Sequence, residues 1–327
     1  MSAPLLSVRN LGRKFVQKPS AVAVAASVLT TGKRPAQKAV RAVNDLSFDL
    51  GAGEALGLVG ESGCGKSTVA RLITGLIAPD QGQITYKGQS LAQMRRQDRL
   101  KIQMVFQDPL GSLDPRMRLG DQIAEAVRVH KIVPAAELDS YLAGIFGDCG
   151  IDPILATRYP HQVSGGQRQR FGIARALAMK PDLVICDEPV AALDVSIQAQ
   201  VINLLARLRR ERGLSYIFIS HDLNVVRHLC DRVAVMYLGK LIEIGDAAEV
   251  LSDPRHPYTK ALGDAAPKVT LDAQEFQTIK GEIPSPLNPP KGCFFNPRCA
   301  IAQDRCRAEM PKLVETPGRK VACHFPL

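Results

Sequence analysis

The chain has 327 residues, more than one ordinary domain needs, so a main domain with additional segments is expected. Hydrophobic residues make up 46% of the chain, which suffices for a large core. No stretch approaches the apolar length of a membrane span, and the early basic residues lack an adjacent apolar signal segment, so a cytosolic location is expected. The net charge of +10 is compatible with binding to nucleic acid, anionic lipid or a nucleotide, or with nothing more than a solvated basic surface. Because basic residues are spread along the chain, charge alone does not distinguish these alternatives.

The first elements in chain order are predicted strands. Residues 5–8 begin an edge strand that Phe15 closes, and the alternating apolar residues of 43–50 predict a second strand. Residues 16–40 show no clear periodicity, so we interpret them as a loop or a β-hairpin insertion. A Gly-rich turn then precedes residues 55–59, whose apolar run predicts a short buried strand.

The next eight residues, 60–67, match the P-loop pattern G-x-x-x-x-G-K-[ST] at every fixed position. A helix is predicted after them, and glycines allow backbone N–H groups to surround a phosphate chain at the helix N-terminus. Lys66 is expected to reach the β- and γ-phosphates, and Ser67 to hold Mg²⁺. A chance Gly-rich turn would not explain both flanking elements. The predicted nucleotide-binding residues of this loop are Gly60, Ser62, Gly63, Cys64, Gly65, Lys66, Ser67 and Thr68.

Further strands are predicted at residues 84–86 and 102–106, before Gln107-Asp108-Pro109 breaks the chain. Residues 119–129 and 135–146 have helical spacing. We therefore predict a helical subdomain, at about 108–163, inserted into the α/β core.

An acidic pair ends the next buried strand, which is predicted at residues 183–186. Asp187 is expected to hold Mg²⁺ indirectly, through the water molecules around the ion, and Glu188 to polarise the water that attacks the γ-phosphate. Ligands bind at the carboxyl ends of strands in α/β sheets, so this pattern after a P-loop indicates a nucleotide hydrolase. A further buried strand, 214–219, leads to His221, and a terminal strand pair is predicted at 233–236 and 241–244.

A second anion-binding motif opens the helix at 164–179. Ser164, Gly165, Gly166 and Gln167 combine a hydroxyl, two glycines and a helix start. One nucleotide does not need two phosphate cradles from one chain, so this motif is expected to cover a nucleotide bound by another subunit. A simple helix cap by Ser164 is the alternative, and it explains neither the paired glycines nor Gln167.

In the order and spacing of these motifs, from about residue 5 to about residue 250, the chain resembles the ATP-binding subunits of ABC transporters. The resemblance implies an α/β P-loop NTPase core of the ABC ATPase type with an antiparallel β edge. It also implies the inserted helical subdomain and a small cysteine-containing C-terminal appendage. The expected division is a nucleotide-binding domain at 1–253 and the appendage at 254–327.

The resemblance assigns roles to the remaining motif residues. Ser164–Gln167 is similar to the signature motif and Ala191–Asp194 to the D-loop, although Ala191 stands where Ser is common. Gln107 resembles the Q-loop residue that touches Mg²⁺ or the attacking water and links to the membrane partner. His221 resembles the switch histidine that donates a hydrogen bond to the γ-phosphate, and Phe15 the aromatic residue that stacks on adenine. The implied catalytic residues are Glu188, His221 and Gln107. The residues implied to hold Mg²⁺ are Ser67, Gln107 and Asp187, and Asp194 is implied to contact the nucleotide.

Three further stretches resemble sequences of the oligopeptide/dipeptide permease subgroup, namely residues 106–116, 186–196 and 256–262. The resemblance implies an ATPase subunit that powers peptide import, with nickel or glutathione as alternative substrates. Its implied partners are a second ATPase subunit, identical or paralogous, arranged head to tail, two transmembrane permease subunits and, indirectly, an extracytoplasmic binding protein. The implied location is the cytoplasmic face of the plasma membrane.

A soluble ABC ATPase acting on nucleic acid or ribosomes is the runner-up. The basic charge permits it, but the chain has neither a second P-loop and signature nor a long coiled coil. Nucleic acid is therefore not an expected partner.

After about residue 254 the composition shifts to Pro, Gly and Cys. Cys293, Cys299, Cys306 and Cys323 lie in a segment with few large apolar residues, which needs a cross-link to hold its shape. Four thiolates could bind Zn²⁺ or an iron–sulfur cluster, and unmetallated thiols or a disulfide remain open. The subgroup has a similar cysteine set, in some cases with a [4Fe–4S] cluster. We expect a structural or regulatory role, because no ATP-contacting motif lies here. The other cysteines, Cys64, Cys149, Cys186 and Cys230, are predicted to be buried.

Overall fold

The computed structural model describes residues 3–17, 38–265, 279 and 281–327. The strands are β1 (Leu6–Gln17), β2 (Lys38–Leu50), β3 (Ala55–Val59), β4 (Gln81–Tyr86), β5 (Gln89–Ser90), β6 (Ile102–Val105), β7 (Leu183–Asp187), β8 (Ser215–Ile219), β9 (Arg232–Tyr237), β10 (Lys240–Asp246), β11 (Val314–Thr316) and β12 (Arg319–Val321). The α-helices are α1 (Lys66–Ile73), α2 (Arg96–Arg99), α3 (Leu119–Val129), α4 (Leu138–Asp148), α5 (Gly165–Leu177), α6 (Val195–Arg212), α7 (Leu223–Leu229), α8 (Ala247–Ser252), α9 (Pro257–Asp264) and α10 (Asp304–Ala308).

The smaller sheet is antiparallel and has the order β2-β1-β4-β5. The strands expected around residues 5–8 and 43–50 are both present, and their pairing continues to Gln17 opposite Lys38. The expectation that the first strand is an edge strand is wrong, because β4 pairs with its other side. Most of the insertion expected at 16–40, namely residues 18–37, lies outside the described residues.

The larger sheet has the order β11-β12-β10-β9-β3-β8-β7-β6 and carries the predicted motifs. Strands β9, β3, β8, β7 and β6 are parallel, and β10, β12 and β11 add antiparallel strands at one side. Both faces of the parallel part are covered. Along β8, Tyr216 and Phe218 enter one hydrophobic core, while Ile217 and Ile219 enter the other. Burial on both faces explains why these strands are continuous apolar runs.

The inserted helical region follows β6. Helix α3 matches the prediction at 119–129, whereas α4 begins at Leu138 because residues 135–137 form a short 3₁₀-helix. Phe146 of α4 lies edge-on against Phe171 of α5, with ring centroids 5.9 Å apart. The inserted helices thus share one hydrophobic core with the sheet.

The C-terminal residues rejoin the main sheet. Strand β12 pairs antiparallel with β10, with Glu243 opposite Val321, and β11 pairs with β12. The predicted strand pair β9 and β10 is present, but it does not end the sheet. No helix in the described ranges is both long and apolar enough to cross a membrane.

Candidate nucleotide-binding site

The P-loop lies between the end of β3 and the start of α1, as the sequence predicts. Gly60 and Gly65 have φ angles of 148° and 111°, which side chains rarely tolerate. A Cβ atom at Gly65 would lie 2.1 Å from the carbonyl oxygen of Ala42, and one at Gly60 would lie 2.3 Å from that of Met236. Neighbouring backbone therefore fixes the inner side of the loop. A Cβ atom at Gly63 would meet nothing within 4 Å, so the outer side is open.

Lys66 lies inside this loop and is only 5% exposed. Its Nζ donates hydrogen bonds to the carbonyl oxygens of Gly60, at 2.7 Å, and Glu61, at 3.1 Å. A positive charge beneath an open loop at a helix N-terminus fits a phosphate chain. The residues present therefore fit the predicted nucleotide.

The predicted Mg²⁺ residues Ser67 and Asp187 are in contact. Ser67 Oγ donates a 3.0 Å hydrogen bond to Asp187 Oδ1. Burial raises the pKa of the Asp187 carboxyl, and the Ser67 hydrogen bond opposes this effect. A hydroxyl and a buried carboxylate are the oxygen ligands that Mg²⁺ prefers. The donor set therefore fits the ion.

The three predicted catalytic residues meet at one carboxylate oxygen. Gln107 Nε2 donates a 3.0 Å hydrogen bond to Glu188 Oε2, and His221 Nδ1 lies 3.5 Å from the same atom. They follow β6, β7 and β8, whose carboxyl ends lie side by side. Glu188 has a φ angle of 47°, an uncommon conformation, and its N–H donates to the carbonyl oxygen of Ile219 at 3.0 Å. The arrangement can hold and polarise a water molecule.

The signature residues form a capping box at the start of α5. Ser164 Oγ accepts from the Gln167 N–H at 3.3 Å, and Gln167 Oε1 accepts from the Ser164 N–H at 2.9 Å. A Cβ atom at Gly166 would lie 2.4 Å from Ile197 Cγ2, so this glycine permits close packing of α5 on α6. The helix-cap interpretation thus describes the local structure, and one of the paired glycines has a packing role. Ser164 remains exposed.

Two other predicted nucleotide contacts are also exposed. Asp194 directly precedes α6 and makes no side-chain cap. Phe15 is 41% exposed, and the guanidinium of Arg13 lies 5.2 Å from its ring centroid. Phe15 pairs with Val40 on β2, the strand whose Ala42 approaches the P-loop. Thr68 follows Ser67 in α1.

The four C-terminal cysteines, Cys293, Cys299, Cys306 and Cys323, line one cavity of about 10 Å³. They are free thiols, and burial raises the pKa of Cys293 to about 11. Across the described part of the chain, no group of three or more His, Cys, Asp or Glu side chains is arranged to hold a metal ion. The donor chemistry thus fits a metal centre, whereas the arrangement is not that of coordinated ligands. The other four cysteines are buried as predicted.

Contacts between the C-terminal residues and the P-loop had no signal in the sequence. Arg298 forms an ion pair with Glu61 at 2.7 Å, and Tyr258 Oη accepts a 2.8 Å hydrogen bond from the Glu61 N–H. Motif spacing could not reveal these contacts, because neither Arg298 nor Tyr258 belongs to a phosphate-binding pattern.

The P-loop, the Ser67–Asp187 pair and the carboxylate at the end of β7 define a P-loop nucleotide hydrolase. Residues 43–191 match the family model described as "ABC transporter", and residues 242–306 match "Oligopeptide/dipeptide transporter, C-terminal region". The chain belongs to the ABC transporter family, in the branch of ATP-binding subunits with this C-terminal region.

Individual relatives agree with this placement. The chain is 50% identical over 294 residues to the oligopeptide transport ATP-binding protein OppF of Escherichia coli, covering 88% of each chain. It is 50% identical over 295 residues to AppF, an oligopeptide transport ATP-binding protein of Bacillus subtilis, covering 88% of this chain and 90% of AppF. The solved structure of cbiO1 from Clostridium perfringens superposes with a TM-score of 0.63 at 26% identity, covering 77% and 92% of the two chains. The predicted α/β fold of the ABC ATPase type is confirmed.

Proposed function

We propose that this chain is the ATP-hydrolysing subunit that powers import of oligopeptides or dipeptides through a membrane ABC transporter. The convergence of Gln107 and His221 on Glu188 Oε2 supports hydrolysis most directly. The C-terminal region match and the relatives named for oligopeptide transport support the substrate class.

In the proposed reaction, side chains and N–H groups of this chain bind ATP and direct a water molecule at its γ-phosphate. Lys66 and the loop N–H groups bind the β- and γ-phosphates, and Ser67 and Asp187 are the residues that would hold Mg²⁺. When bound, Mg²⁺ neutralises charge on the phosphate oxygens. Glu188 accepts a hydrogen bond from the water in line with the γ-phosphate, and Gln107 orients that carboxylate. In the proposed reaction His221 turns from Glu188 and donates a hydrogen bond to the γ-phosphate when ATP is present.

We infer that the complete site needs a second ATPase subunit arranged head to tail. The exposure of Ser164 and Asp194 supports this, because both residues remain accessible to a second chain. The loop after Gln107 and helices α3 and α4 are the proposed contact for two transmembrane subunits. An extracytoplasmic binding protein would then act indirectly, and the chain would lie on the cytoplasmic face of the plasma membrane.

The decisive experiment is reconstitution of the chain with its native membrane partners in proteoliposomes. Peptide uptake should require ATP, and peptides delivered by the binding protein should stimulate hydrolysis. Uptake of nickel or glutathione without peptide uptake would overturn the peptide assignment. Crosslinks from cysteines introduced into α3 should reach a membrane subunit; crosslinks to ribosomal proteins alone would favour the runner-up.

We also propose that the C-terminal thiols hold one metal centre, a [4Fe–4S] cluster with Zn²⁺ as the alternative. Support comes from the single cavity that all four line. Protein purified without oxygen should be brown and contain iron and acid-labile sulfide, and Cys299→Ser should bleach it. A colourless preparation with stoichiometric zinc would replace the cluster by zinc. Metal-free protein whose protease resistance is unchanged by Cys299→Ser would overturn both.

A further inference from the structure

The second residue of the P-loop is held by the C-terminal part of the same chain. Both terminal nitrogens of the Arg298 guanidinium donate to the Glu61 carboxylate, at 2.7 Å and 2.9 Å. The Arg298 side chain is 3% exposed and that of Glu61 is 19% exposed, so the pair is largely removed from water. A bidentate Arg–carboxylate pair in such surroundings is geometrically specific.

The backbone of Glu61 is held as well. Its N–H donates to Tyr258 Oη at 2.8 Å, and Tyr258 is fully buried. Its carbonyl oxygen accepts from Lys66 Nζ at 3.1 Å and from the Cys64 N–H at 3.3 Å. All three polar groups of Glu61 are therefore bonded: the carbonyl within the loop, and the N–H and the carboxylate to C-terminal residues.

An aromatic cluster positions the two C-terminal groups. The rings of Tyr237, Tyr258 and Phe295 lie 4.7–5.4 Å apart, centroid to centroid. The Arg298 guanidinium lies 6.0 Å from the Tyr237 ring and 5.9 Å from the Phe295 ring. Cation–π contacts and ring packing therefore orient the Arg298 side chain toward Glu61.

A carboxylate in a phosphate-binding loop opposes its ligand, because like charges repel strongly where water is excluded. Arg298 cancels that charge and keeps the carboxylate on the side of the C-terminal residues. We propose that Arg298 and Tyr258 are positioning residues of the P-loop, which hold Glu61 in the conformation in which the loop binds ATP. This inference rests on the proposed role of residues 60–67 as the ATP phosphate site.

The position of Arg298 also connects the loop to the cysteine cavity. Arg298 directly precedes Cys299, and Phe295, which it contacts, lines the cavity of the four thiols. The C-terminal residues thus support the nucleotide site by contacting the P-loop residue Glu61. Loss of order around the thiols would therefore displace Arg298 from Glu61 and lower the affinity for ATP.

The test measures ATP affinity of the full-length chain with Mg²⁺ by isothermal titration calorimetry. Arg298→Met should raise the Kd for ATP about tenfold or more, because Glu61 then keeps an uncompensated charge. Adding Glu61→Gln to Arg298→Met should return the Kd to within about threefold of wild type, since the repelling charge is gone. Arg305→Met is the matched control: Arg305 pairs with Glu309 at 3.0 Å in the same segment, but both side chains are more than half exposed. Its Kd should not change.

A purely structural role predicts a different pattern, because Glu61→Gln would then add to the damage. An unchanged Kd in Arg298→Met, or a double variant as weak as Arg298→Met, would overturn the inference. Should Arg298→Met not fold, Arg298→Lys and Tyr258→Phe replace it. Each removes one hydrogen bond to Glu61 and should raise the Kd severalfold, and wild-type affinity in both would equally refute the role.

Lys66→Ala separates this inference from the proposed function. If Lys66→Ala binds ATP as wild type does, residues 60–67 are not the phosphate site and the proposed function itself fails. If Lys66→Ala loses ATP and Arg298→Met does not, only the positioning role of Arg298 is wrong.

Discussion

Gln107 Nε2 and Glu188 Oε2 are joined by a 3.0 Å hydrogen bond, although the residues are 81 positions apart. Gln107 follows the end of β6 and leads into the inserted helices, whereas Glu188 follows β7. A displacement of the inserted helices would therefore move the amide that orients the proposed catalytic carboxylate. This bond gives a physical route by which a membrane subunit seated on those helices could control hydrolysis.

Replacing Glu188 by glutamine should stop turnover without preventing ATP binding. The amide keeps the size of the side chain but cannot accept a proton from the attacking water, so ATPase activity should fall about 10²–10⁴-fold. The measurement is ATP hydrolysis by the assembled transporter, beside ATP binding. Glu211→Gln, which changes an exposed carboxylate paired with Arg207 on α6, is the control. Wild-type turnover in Glu188→Gln would refute its catalytic role.

A mixture of two inactive variants should regain activity if the site is shared between subunits. In a homodimer, Lys66→Ala and Ser164→Ala each damage both sites, but a mixed dimer retains one site with intact Lys66 and Ser164. Differently tagged variants are mixed, mixed dimers are isolated, and ATPase activity is measured. Isolated mixed dimers no more active than either parent would argue against a composite site.

Much of the nucleotide site could be predicted because its signals are local. An eight-residue pattern specifies the P-loop, and parallel strands bring their carboxyl ends to one edge, which places Gln107, Glu188 and His221 together. The contact between Arg298 and Glu61 could not be predicted, because it joins residues 237 positions apart. It depends on β12 pairing with β10, which returns the C-terminal residues to the sheet. The expectation that β1 is an edge strand is wrong for the same reason, since strand order depends on partners distant in sequence.

Asp187→Asn should stabilise the nucleotide-free protein while removing Mg²⁺-dependent hydrolysis. Burial raises the pKa of Asp187, so the folded state holds its proton more tightly than the unfolded state does. Stability therefore falls as pH rises from the unfolded pKa through the folded pKa, and the loss persists at neutral pH. Asparagine removes this cost and can still accept from Ser67 Oγ. The melting temperature at pH 7 should rise, and the difference should vanish at pH values below the unfolded pKa; a lower melting temperature at pH 7 would contradict this.

Two glycines of α5 should respond oppositely to alanine. A Cβ atom at Gly172 meets nothing within 4 Å, so Gly172→Ala should stabilise the protein by about 1 kcal/mol through helix propensity. At Gly166 the Cβ atom would lie 2.4 Å from Ile197 Cγ2, so Gly166→Ala should cost about 1–3 kcal/mol and lower ATPase activity by moving the signature motif. Chemical denaturation and hydrolysis assays measure both. Equal stability changes would show that α5 does not pack tightly on α6.

Arg319→Met should loosen the C-terminal residues that reach the P-loop. Arg319 on β12 is 7% exposed at its side chain and lies 3.5 Å from Glu243 Oε1, whose own side chain is fully buried. Its removal leaves Glu243 with two backbone donors, the N–H groups of Arg255 and His256, and without a cation, which should cost about 3 kcal/mol. We expect a melting temperature several degrees lower and faster proteolysis within residues 281–327. Arg305→Met should change neither, since its ion pair is exposed, and equal behaviour of the two variants would show that the buried pair does not secure β12.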